Sequence, residues 1–63
     1  MIKNSATPDQ FASGVTSGGE RWSVARFGAL VVTTVSGASD DELWPDARAA
    51  RREFADRVAA LTD

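Results

Sequence analysis

Residues 20–36 read ERWSVARFGALVVTTVS, and this stretch decides the fold. Two runs rich in β-branched and aromatic residues are separated only by Gly28 and Ala29. A two-residue connection with glycine first is typical of a type II′ turn, so the stretch predicts a β-hairpin. The turn also sets the register, which pairs Phe27 with Leu30, Val24 with Thr33, and Trp22 with Val35.

The predicted register sorts the hairpin residues into two faces, because successive side chains of a strand point to opposite sides. One face carries Trp22, Val24, Arg26, Val31, Thr33 and Val35. The other face carries Ser23, Ala25, Phe27, Leu30, Val32 and Thr34. A single helix can cover only one face of a sheet, so we expect the second face to be available to a partner. The alternative is that the N-terminal segment folds across the second face and closes it.

Residues 7–16 allow two interpretations. Thr7, Pro8 and Gln10 have the order of a helix start, with a cap, a first-turn proline and a capping-box glutamine. Residues 11–17 alternatively form a strand, with a two-residue turn at Gly18-Gly19. On that register Val15 lies opposite Trp22 and Phe11 opposite Arg26. Both side chains would then extend the Trp22 face, which favours a three-stranded meander.

The C-terminal third predicts one long helix. Ser39-Asp40-Asp41-Glu42 has the pattern of a capping box, but Pro45 would interrupt a helix that began there. We therefore expect a short turn over residues 39–43 and a main helix from about Pro45 to Leu61. Its apolar stripe follows the 3-4 spacing of an amphipathic helix and consists of Ala47, Ala50, Phe54, Val58 and Leu61.

The predicted fold is α+β: an antiparallel sheet built on the hairpin from Glu20 to Ser36, favoured as a three-stranded meander and packed by one C-terminal helix. The alternative is an α-β-β-α order with a short first helix. A chain of 63 residues makes a single domain. Residues 1–6 carry no periodic signal and are expected to be flexible.

Composition argues against catalysis and against cofactors. The chain has no Cys, His or Tyr, so disulfides, thiolate zinc sites and most general bases and nucleophiles are missing. The glycines match neither a phosphate-binding loop nor a dinucleotide fingerprint. The acidic run Asp40, Asp41, Glu42 and Asp46 has no EF-hand spacing, and capping explains its first three residues. We therefore predict a protein that is not an enzyme and has no metal or cofactor.

Hydropathy and charge indicate the cellular location of the protein and the class of partner that it binds. The longest uncharged apolar stretch, residues 27–35, is far shorter than the ~20 residues that cross a bilayer. The first residues lack the apolar segment of a secretory signal, so we expect a cytoplasmic protein. The net charge of −2 does not favour sequence-independent nucleic-acid binding, which needs a basic face.

The strand from Leu30 to Ser36 is the predicted working surface. As a sheet edge without charge or proline it would template pairing with another chain, so a homodimer through it is expected. Trp44 either plugs the end of the sheet or stands exposed as an interface anchor. The candidate partner-binding residues are Phe27, Leu30, Val32, Thr34 and Trp44.

These features predict a small intracellular protein-binding module. It would occupy a partner protein's surface as an inhibitor or accessory subunit, of the kind that phages and mobile elements encode. The alternative is a dimeric nucleic-acid-binding regulator that uses arginines of the hairpin or of the helix. Its candidate contacts are Arg21, Arg26, Arg48, Arg51 and Arg52.

Overall fold

A computed structural model describes residues 7–62; the segment 1–6, which was predicted to be flexible, lies outside the described residues. Four antiparallel strands form one sheet in the order β1-β2-β3-β4, and the helix α1 packs on one face of it. This is the predicted α+β class, with one strand more than the meander. The elements are β1 (Gln10–Val15), β2 (Arg21–Phe27), β3 (Leu30–Val35), β4 (Ala38–Leu43) and α1 (Ala47–Thr62).

The central hairpin, β2 and β3, has the predicted turn and register. Phe27 pairs with Leu30 at the turn, and the ladder continues to Trp22 opposite Val35. Gly28 has a φ of 62°, as the first central position of a type II′ turn requires. The prediction from residues 20–36 is therefore confirmed.

Residues preceding the hairpin form a strand, so the α-β-β-α alternative is wrong. The connection from β1 to β2 is closed by Thr16, whose N–H donates to the carbonyl of Glu20 at 2.8 Å. Gly19 N–H donates in turn to the carbonyl of Thr16 at 2.9 Å. The loop between the paired residues is thus 17–19, three residues instead of the predicted two.

The longer loop shifts the register of β1 by one residue. Gly14, not Val15, lies opposite Trp22. Phe11 lies opposite Ala25 instead of Arg26. Since the side-chain period of a strand is two, this shift moves Phe11 and Val15 to the face away from the helix. The expectation that they extend the Trp22 face was wrong.

Residues 38–43 form the edge strand β4, where a turn was predicted. Ser36 and Gly37 make a two-residue turn, and both have positive φ, which is typical of a type I′ hairpin. β4 pairs with β3 along its length, from Val35 opposite Ala38 to Leu30 opposite Leu43. The strand from Leu30 to Ser36 is therefore an inner strand, and a homodimer through it as a free edge is excluded.

Helix α1 begins two residues after the predicted start because Asp46 caps it. The Asp46 carboxylate accepts a hydrogen bond from Ala49 N–H at 2.9 Å, which satisfies one of the free donors of the first turn. The core between the helix and the sheet consists of Trp22, Val24, Val31, Ala50 and Phe54. Trp22 lies under the helix as predicted, and the predicted apolar stripe faces the sheet.

Candidate functional site

The sheet face away from α1, called the open face below, has no covering element among residues 7–62. The ladder registers place its side chains in rows that run across the strands. One row consists of Phe27, Leu30 and Leu43. The next row consists of Phe11, Ala25, Val32 and Asp41. A third row is hydroxylated throughout and consists of Ser13, Ser23, Thr34 and Ser39.

The first two rows make an apolar patch at the end of the sheet that carries the Gly28-Ala29 turn. Its six members are Phe11, Ala25, Phe27, Leu30, Val32 and Leu43. Phe11 is 60% exposed and Leu43 is 79% exposed, which are high values for large apolar side chains. A contiguous apolar patch with a polar border is typical of a protein-binding surface.

Within residues 7–62, the border of the apolar patch is polar and carries one charge of each sign on the open face. Asp41 lies in the same row as Val32 on the edge strand β4, and Arg21 lies beyond the hydroxyl row on β2. Both residues are exposed. In the hydroxyl row, Thr34 Oγ1 and Ser39 Oγ are 3.0 Å apart and share a hydrogen bond. Such hydroxyl groups can exchange hydrogen bonds with a partner without a large desolvation cost.

Four of the five residues predicted to bind a partner lie on the open face. Phe27, Leu30, Val32 and Thr34 are all half-buried, since their neighbours in the rows flank them. Trp44 lies apart from them. It packs against the core residues on the helix side, which fits the plug interpretation. Its backbone N–H donates to the carbonyl of Ala29 at 2.8 Å and so fixes the chain at this end of the sheet.

Phe11 and Leu43 were missed as surface residues. The sequence assigns Phe11 to the covered face because the paired glycines predict a loop before β2 that is one residue shorter. The sequence predicts a turn at Leu43 because the acidic residues before it resemble a helix cap. The only sequence signal for β4 is the Ser36-Gly37 dipeptide, a turn former that directly follows a strand.

Arg26, a candidate nucleic-acid contact, is buried and hydrogen-bonded within the protein. Its Nε donates to the side chain of Gln10 at 2.6 Å. Its Nη1 donates to the carbonyl of Gly28 at 2.7 Å and lies 3.7 Å from the carboxylate of Asp9. Arg26 therefore ties β1 to the hairpin turn and has no free face for a phosphate.

Arg57, on α1, joins the helix to the sheet. It forms ion pairs with Glu53 on the helix and with Glu42 on β4, the latter at 2.6 Å. It also donates to Thr33 Oγ1 at 2.7 Å. Partial burial opposes the charge of Arg57, but the hydrogen bonds and ion pairs with both glutamates outweigh it and raise the pKa of the guanidinium.

The other candidate arginines do not form one surface. Arg48, Arg51 and Arg52 are exposed on α1, whereas Arg21 lies on the open face on the other side of the sheet. A depression of about 500 Å³ beside the helix is lined by Arg48 and Arg52 together with three acidic residues. These are Asp46, Glu53 and Asp56. Because the charges in this depression nearly balance, it has no marked preference for a polyanion.

Two further classes of site have no counterpart in the part of the chain that the structure describes. No three His, Cys, Asp or Glu side chains between residues 7 and 62 converge to hold a metal ion. Over the same residues, no helix has the length and apolar character that a membrane crossing requires.

Comparison with known proteins finds no similarity: no family model, curated protein or solved structure matches this chain.

Proposed function

We propose that this chain is an intracellular, non-catalytic protein-binding module that occupies a surface of a partner protein with its open face. It would act as an inhibitor or an accessory subunit. The observation that supports this proposal is the apolar patch, with Phe11 and Leu43 more than half exposed. Covering one large apolar side chain is worth about 1.5–3 kcal/mol, so these two alone supply a substantial part of a binding free energy.

The composition of the open face supports a protein partner more than a nucleic acid. Its centre is apolar and aromatic, and its charges, Arg21 and Asp41, lie at the margin and cancel. Protein interfaces commonly have an apolar centre with a polar rim. A nucleic-acid surface would instead need several cations on one face.

Capture of partners from the native host, quantified by mass spectrometry, tests the proposal with matched lysine variants. Leu43→Lys changes the most exposed apolar residue of the patch, and Val32→Lys changes its centre. Ala59→Lys adds the same charge to an exposed position on α1 and serves as the control. We expect the first two variants to lose a partner protein that the wild type and the control retain.

Leu43→Lys is the decisive variant because a substitution at so exposed a position should lower the stability of the fold only slightly. A melting curve of each variant establishes that it remains folded. Partner proteins that are retained equally by the wild type and by both patch variants would contradict the proposal. Retention that instead depends on nucleic acid and falls steeply with salt would support binding through Arg48, Arg51 and Arg52.

A further inference from the structure

We propose that β1 is a dimerisation edge, at which a second copy of this chain adds its own β1 in antiparallel orientation. The product is a continuous eight-stranded sheet with two-fold symmetry. This contact is made by the backbone edge of β1, and Phe11 is the one patch residue that it involves, so it does not depend on the proposed function. It would place the apolar patches of the two copies on the same side of one larger sheet.

The two edges of the sheet differ in their protection. β1, with the sequence QFASGV, has no charged residue and no proline. β4, with the sequence ASDDEL, carries three carboxylates. Natural sheets block their edges with charges, because an unpaired edge templates another strand. The charged residue directly before β1 in the sequence is Asp9, whose carboxylate accepts a hydrogen bond from Gly28 N–H at 2.7 Å and so is directed toward the hairpin turn.

The hydrogen-bond pattern identifies the free backbone groups of β1. Thr16 donates to Glu20 across the β1–β2 ladder, and bonded and non-bonded pairs alternate in an antiparallel ladder. The even-numbered residues of β1 therefore bond to β2. The N–H and C=O groups of Phe11, Ser13 and Val15 point away from the sheet, toward an edge at which residues 7–62 supply no further strand.

A two-fold axis at Ser13 makes this edge complementary to itself. Ser13 then lies opposite Ser13 of the second copy, and Phe11 lies opposite Val15 in both directions. Each of these three pairs exchanges two backbone hydrogen bonds. The side chains also match: Phe11 and Val15 are 60% and 61% exposed, and an aromatic residue opposite a β-branched one stabilises a sheet.

Charge selects β1 over β4 for pairing between identical chains. An antiparallel pair of β4 strands that bonds through the outward groups of Ser39, Asp41 and Leu43 would place Asp41 opposite itself. It would also place Asp40 opposite Glu42 of the second copy. Directly opposed like charges destabilise a sheet, whereas β1 brings no charge to its own two-fold axis.

Sedimentation equilibrium on the full chain, up to about 500 µM so that weak association is detected, tests the proposal. We expect a monomer–dimer equilibrium that Ser13→Lys weakens by about fivefold, since it places two lysines at the two-fold axis. Ser23→Lys is the matched control, because Ser23 is the open-face neighbour of Ser13 on the inner strand β2. Mixing Ser13→Lys with Ser13→Glu should restore a dimer.

Hydrogen exchange followed by NMR provides a second readout that also detects misfolding. In the wild-type dimer the amides of Phe11, Ser13 and Val15 should be protected, and in Ser13→Lys they should exchange quickly. Ala12 and Gly14, which bond to β2, should stay protected in both proteins.

Four results would overturn the proposal. They are a monomer at every concentration, dimerisation unchanged in Ser13→Lys, equal dissociation by Ser23→Lys, and assemblies that grow beyond a dimer. The third would indicate contact between open faces, and the fourth would indicate head-to-tail pairing of β1 with β4.

Discussion

Gly14 provides the sharpest test of the register of β1. It lies on the helix side of the sheet, beneath the indole ring of Trp22. A Cβ atom added at Gly14 would be 2.9 Å from Cζ2 of Trp22 and 3.1 Å from both Cε2 and Nε1. These distances are shorter than ordinary van der Waals contact, and Trp22 is a buried core residue whose rigid ring cannot move aside freely.

Gly14→Ala should therefore destabilise the fold although alanine suits a strand better than glycine. Overpacking of a core typically costs about 1–3 kcal/mol, and the entropic advantage of alanine returns about 0.5–1 kcal/mol. The expected net loss is about 1 kcal/mol, which lowers the melting temperature of a domain of this size by about 4–8 °C.

Gly18→Ala is the matched control within the same hairpin. A Cβ atom there meets nothing closer than the Thr16 hydroxyl at 3.7 Å, and Gly18 does not have a positive φ. This substitution should be neutral or stabilising by up to about 1 kcal/mol, because it reduces the freedom of the unfolded chain. The assay is thermal unfolding followed by far-UV circular dichroism, with the near-UV signal reporting on tryptophan packing.

A Gly14→Ala variant as stable as Gly18→Ala would refute the structural reasoning. With a two-residue turn before β2, Gly14 would lie on the open face, and a methyl group there would meet no ring. The experiment thus distinguishes the observed register from the one that the Gly18-Gly19 pair suggested.

Two further variants test polar contacts of the sheet, one with helix α1 and one between the segment before β1 and the hairpin turn. Arg57→Met removes the contacts of α1 with Thr33 and with the two glutamates, and should lower the free energy of unfolding by about 1–3 kcal/mol, measured by chemical denaturation. Arg51→Met is the control at an exposed position of the same helix, and should change the free energy of unfolding by less than about 0.5 kcal/mol. Equal effects of these two would show that the buried contacts of Arg57 add nothing. Asp9→Ala removes the acceptor of the Gly28 N–H and should cost about 0.5–1.5 kcal/mol by the same measurement, so an unchanged midpoint would count against an ordered contact there.

The sequence alone was sufficient for the elements whose determinants are local. The turn at Gly28-Ala29 needs one positive φ, which glycine supplies. Its length of two residues sets the pairing of β2 with β3, so residues 20–36 alone were enough to predict that register. The helix was equally predictable because its apolar stripe has the helical period. The helix starts at Ala47, two residues after the predicted start at Pro45, because Asp46 caps its first turn.

The tertiary structure decided the outer strands. The residues of β4 are acidic and poor strand formers, and they pair because β3 presents backbone groups that need partners. The face on which Phe11 lies depends on whether two or three residues close the loop before β2, and paired glycines permit either. A register shift of one residue moves every side chain of a strand to the opposite face of the sheet. The hydrophobic composition of the strand is the same in both registers, so it does not distinguish them. The sequence therefore determined that the helix would cover only one sheet face, and only the tertiary structure decided which side chains of β1 and β4 lie on the other.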